Sequence, residues 1–121
     1  MGDAATPMAG AVNPDLAMLH SELIALVVEL DAAVGRAKDA SEVTGLLDEI
    51  SEVNARITNV GRQLFTQQTV KITAGVAKVT AAKGEALAAV KKLESVKSVI
   101  QAVTKFLSLV DNVVGIAKLV I

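Results

Sequence analysis

From Val79 to the C-terminus, two interleaved seven-residue series are apolar at every position. One reads Val79, Ala86, Leu93, Ile100, Leu107, Val114 and Ile121; the other reads Ala82, Ala89, Val96, Val103, Val110 and Ala117. Residues spaced alternately by three and four share one face of a helix, whereas a strand face repeats every second residue. Five to six such heptads exceed the three or four that argue for coiled-coil packing. Valine is abundant and fits strands better than helices, so the spacing has to arbitrate, and it selects helix. The Val70–Ala74 stretch alternates briefly like a strand, but it agrees with the heptad register and reads as helix too.

The upstream half carries two further seams. Asn13-Pro14-Asp15 opens the first: Asn13 can cap free N–H groups, Pro14 suits the first helical position, and Asp15 meets the positive end of the helix dipole. Leu16, Leu19, Leu23, Leu26, Leu30, Ala33 and Ala37 then follow at helical spacing. Asp39 and Glu42 have the spacing of a capping box before the second seam, which runs Val43, Leu46, Ile50, Val53, Ile57, Val60, Leu64. A one-residue skip falls between Leu64 and Thr69. One unbroken helix from Thr69 to Ile121 would be about 80 Å long, so a break is expected, and Gly84 is the residue best suited to a left-handed helix end.

The fold expected is therefore all-α: an antiparallel bundle or long helical hairpin of three helices, at about 14–37, 40–82 and 85–121, with coiled-coil-like packing. A further break at Thr66–Thr69 would make four. Residues 1–12 read as a flexible arm, and 13–121 as a single bundle domain.

Charge divides the chain where composition hides it. Residues 1–55 hold ten acids and two bases; residues 56–121 hold ten bases and three acids. Asp15, Glu22, Glu29, Glu42 and Glu49 flank the early seams, and Lys71, Lys78 and Lys92 take the equivalent flank later. Matching flanks meet in antiparallel pairs, so the acidic half should lie antiparallel to a basic segment, in the same chain or in a neighbour.

Catalytic chemistry finds no foothold. The one histidine, His20, has Glu22 two residues away on another face, whereas helical metal pairs need a spacing of three or four. There is no cysteine, hence no thiolate site or disulfide, and no Gly-rich phosphate loop follows a strand. The expectation is a non-enzyme without cofactor or metal. The lysine zone from Lys71 to Lys97 lacks stacking aromatics and has an acidic half to neutralise it, which disfavours nucleic acid.

Apolar residues make up 52% of the chain but aromatics only 2%, and the mean hydropathy is +0.51. A chain this small cannot hide that much apolar area alone, so an oligomer, a helical partner or a lipid surface is expected to cover some of it. The C-terminal seam is the candidate interface: Leu93, Val96, Ile100, Val103, Phe106, Leu107, Val110, Val114 and Ile121. No uninterrupted apolar run approaches the ~18 residues of a membrane span, and Asp3 stands where a signal peptide needs positive charge. A cytoplasmic location is expected, with export by a signal-less route left open. The function expected is assembly: a non-catalytic helical protein that self-associates or binds a helical partner. A lipid-surface or membrane-active helical protein, such as a granule coat, translocator or pore component, is the alternative.

Overall fold

Asn13 begins α1 as its spacing predicts. Its side chain accepts hydrogen bonds from the N–H groups of Asp15 and Leu16, at 3.0 and 3.2 Å. A computed structural model describes residues 11–120; the proposed arm lies, but for Ala11 and Val12, outside the described residues. Four helices follow: α1 (Pro14–Val34), α2 (Ala40–Gly61), α3 (Val70–Lys92) and α4 (Val96–Lys118), with no strand among the described residues. Asp39 caps α2 by accepting from the Glu42 N–H at 2.9 Å, and Glu42 reaches back to the Lys38 N–H at 2.8 Å. The Thr69 and Ser95 hydroxyls cap α3 and α4 in the same way.

Each helix touches two others: α1 packs on α2 and α3, and α4 packs on α3 and α2. The α1/α4 and α2/α3 pairs are thus diagonal, and the section is a square of two hairpins, α1–α2 and α3–α4. The α2–α3 connection has to cross the diagonal, which explains its eight residues, 62–69, beside shorter links elsewhere. Asn13 pins that crossing to the start of α1: its backbone N–H donates to Leu64 O at 2.7 Å and its side-chain amide to Thr66 O at 3.0 Å. Twenty-two apolar residues drawn from all four helices form one core, with Leu16, Leu19, Leu23, Leu30, Leu46, Val53, Val60, Ile72, Val79 and Phe106 wholly inaccessible.

Three expectations are corrected. The 40–82 helix ends at Gly61, where the diagonal crossing begins; the further break expected at Thr66–Thr69 falls within residues 62–69 and makes the helices four. The break placed at Gly84 falls instead at Leu93, which closes α3 in the left-handed region at φ 45°, with Ser95 already capping α4. Length matching accounts for the shift: the helices run 21, 22, 23 and 23 residues, so each buries a full-height seam, and a stop at Gly84 would leave α3 short of its neighbours. Finally, within the chain, α1 does not lie antiparallel to the basic α3. Asp15 meets Thr73 and Glu22 meets Thr80, both pairs 58 residues apart, so the two helices advance in the same direction.

Gly84 is then an ordinary helix-interior glycine, exposed and with nothing near the place a Cβ would occupy. Gly84→Ala should stabilise the fold by about 0.5–1 kcal/mol in urea unfolding, since alanine is the better helix former. Gly45→Ala should do the reverse, because its Cβ would sit 2.6 Å from Val96 Cγ1 on a stiff β-branched side chain. A loss at Gly84 would restore the break there.

Candidate interaction surface

The predicted interface is turned inward. Val103, Phe106 and Val110 are wholly buried in the chain's own core, Leu107 and Val114 nearly so, and Leu93 and Val96 are half-buried against it. Ile100 stands at the surface, 37% exposed, and Ile121 lies outside the described residues. The reason is that α4 packs on two helices and needs an arc wider than a two-helix seam. That arc is centred on Val103, Val110 and Ala117 and extends to Val99, Phe106 and Val113, which turns Ile100 out. Averaged over its length, α4 is long and apolar enough to cross a membrane, although no uninterrupted apolar run spans it.

What remains outside is more informative. On α1 the core takes Leu16, Leu19, Leu23, Leu26, Leu30 and Ala33, yet Met18, Ile24 and Val28 are 44%, 45% and 60% exposed on the outer side. Ser21, Ala25 and Ala32 are exposed around them. No exposed charge falls between Met18 and Val28, because Glu22, the acid within that length, is turned towards α3 and buried; the half-buried Glu29 and the exposed Asp31 follow. The sequence signal was the five-residue apolar run Ile24-Ala25-Leu26-Val27-Val28, which must wrap the helix and cannot all face one core.

Across the bundle, α3 and α4 enclose a surface groove of about 470 Å³ lined by Ala74, Gly75, Leu109 and Ile116, with Lys71, Lys78 and Asn112 also on its walls. Gly75 lets the helices approach, since a Cβ there would lie 2.9 Å from Val113 Cγ2. A second depression of about 450 Å³ continues it to the bundle end over Val70, Leu119 and Val120. Lys71 and Lys78 are exposed, and neither forms an ion pair among the described residues.

The charge split of the sequence becomes a lateral split of the bundle. α1 has four acids and no lysine or arginine, and α2 has four acids and one arginine; α3 has five lysines and one acid, and α4 has three lysines and one acid. Among the described residues, few cross-hairpin ion pairs result. Lys83 Nζ lies 3.5 Å from Glu22 Oε2, and the Arg56 guanidinium donates twice to Asp111, both at 3.0 Å. Asp15 accepts from Gln68 and Thr73 in place of a lysine.

A cleft of about 550 Å³ between α2 and α4 gathers Asp48, Glu49, Glu52, Arg56 and Asp111. Burial pushes the Glu49 carboxyl above its ordinary value, and Glu52 and Asp48 add to this while Arg56 opposes it. Ionising Glu49 is thus harder in the folded chain than in the unfolded one. Its contribution should make the protein more stable as pH falls through the raised folded value towards the ordinary carboxylate range. Glu49→Gln should remove that slope and raise the urea midpoint at neutral pH; a lower midpoint would mean that attraction to Arg56 outweighs burial.

His20 lies over Gly61, with Nε2 3.6 Å from the place of a glycine Cβ, and among the described residues no three His, Asp or Glu side chains form a metal-holding group. Compared with protein-family models, curated proteins and solved structures, the chain matches none.

Proposed function

We propose that this chain is a non-catalytic assembly protein, a four-helix unit with coiled-coil-like packing in its antiparallel hairpins that self-associates through faces outside its core. The observation that carries this reading is the charge-free stripe Met18–Ile24–Val28 on a bundle whose core is already filled. Large apolar side chains grouped on one outer face, without a charge among them, are characteristic of surfaces that meet another macromolecule. The C-terminal seam contributes by building the unit rather than by joining it to others.

Sedimentation velocity over a wide concentration range, with and without lipid vesicles, tests the reading. Reversible growth in mass with concentration, indifferent to vesicles, is the expected result; a monomer at every concentration overturns self-association. A second reading, a membrane-active protein, is favoured by α4, whose length and apolarity match a span. It requires the bundle to open, because the apolar arc of α4 faces the core, and it predicts vesicle binding with loss of the packing of α4 on α2 and α3.

A further inference from the structure

We propose that the outer stripe of α1 in one copy docks into the α3/α4 groove of another, so that assembly is head-to-tail. This rests on the self-association reading and names its two surfaces. The stripe offers Met18, Ile24 and Val28 on the chain's most acidic helix, with Asp31 bordering its upper end. The groove offers an apolar floor of Leu109 and Ile116 beneath the lysines Lys71 and Lys78. Apolar area thus meets apolar area, and the acids beside the stripe that are not engaged with α3, the half-buried Glu29 and the exposed Asp31, meet a wall of lysines that have no ion-pair partner among the described residues.

The sizes agree. Met18 to Val28 spans about 15 Å of helix, and Val70 to Lys78 about 12 Å. Geometry forbids one chain from joining its own two surfaces, since the stripe points away from the α3–α4 hairpin. A two-fold pairing of stripes would set two acidic helices against each other, so the groove of a second copy is the better occupant. A heterologous contact that does not close grows into open chains. Two or three turns of one helix cover less than the ~800 Å² per partner of a stable complex, so the contact should be weak and concentration-dependent.

Two variants on exposed positions test this. Lys71→Glu with Lys78→Glu disables the groove; Ile24→Gln with Val28→Gln disables the stripe without adding a charge that could answer the new glutamates. Circular dichroism establishes that both remain folded. In sedimentation velocity the wild type should form open chains, each double variant alone should stay monomeric, and an equimolar mixture should form a one-to-one heterodimer and nothing larger. That complementation is peculiar to a head-to-tail contact. Chains that persist in either variant, or a mixture that stays monomeric, overturn the proposal while leaving self-association standing. A wild type that is monomeric throughout overturns both. Binding of the wild type but not the groove variant to phosphatidylglycerol vesicles, without self-association, would assign the groove to an anionic lipid and overturn it as well.

Discussion

Phe106→Ala should lower the unfolding free energy by about 3–5 kcal/mol, a large share of the roughly 5–15 kcal/mol that holds a domain folded. Phe106 is the largest of the fully buried side chains, and the other phenylalanine, Phe65, is 60% exposed and offers no second aromatic anchor. The neighbouring position sharpens the test. Leu107→Asp puts an unpaired carboxylate at a site only 4% exposed and should abolish cooperative unfolding. Ile100→Asp, one heptad earlier and identical in the sequence pattern, should cost less than about 1 kcal/mol because its side chain reaches solvent. Ser98→Asp should be neutral or slightly favourable, since it adds an acid to the first turn of α4. Equal losses at Ile100 and Leu107, read from urea unfolding curves, would mean that α4 is rotated from the orientation described.

Stripping the partners of Glu22 should give the second large effect. Its carboxylate, 6% exposed, accepts from Thr80 Oγ1 at 3.2 and 3.3 Å and faces Lys83 at 3.5 Å. Thr80→Val with Lys83→Met leaves a buried carboxylate without these donors, at a cost of about 1–3 kcal/mol. Lys83 is itself partly exposed, so the Lys83→Met change alone should do less, its attraction being screened by water. Adding Glu22→Leu to the pair should return most of the loss, because an apolar side chain at the α1–α3 contact needs no partner. If the double variant matches the wild type in urea unfolding, the carboxylate is solvated and does not tie α1 to α3.

Local signals in the chain were sufficient for much of the fold. The caps at Asn13 and Asp39, the leucine seam from Leu16 to Leu30 and the helical state of Val70–Ala74 depend on spacing and nearby side chains, which tertiary packing left in place. The candidate surface was less legible. Its stripe was present as an apolar run in α1, but which apolar residues face outward depends on where α2 and α3 sit. The groove joins residues of α3 to residues of α4 about forty positions away, and no local pattern links them.

By itself, the sequence determined that the chain is helical, where the first helix starts, and that acids and bases separate into two halves, because periodicity, capping and charge are one-dimensional properties. Only the tertiary structure decided the rest. Matching four helix lengths moved the break from the permissive Gly84 to Leu93. Packing each helix against two neighbours turned Phe106 in and Ile100 out. A diagonal crossing laid α1 alongside α3 in the same direction, so the separated charges became opposite sides of one bundle, since burying every seam at once is a condition no single segment can express.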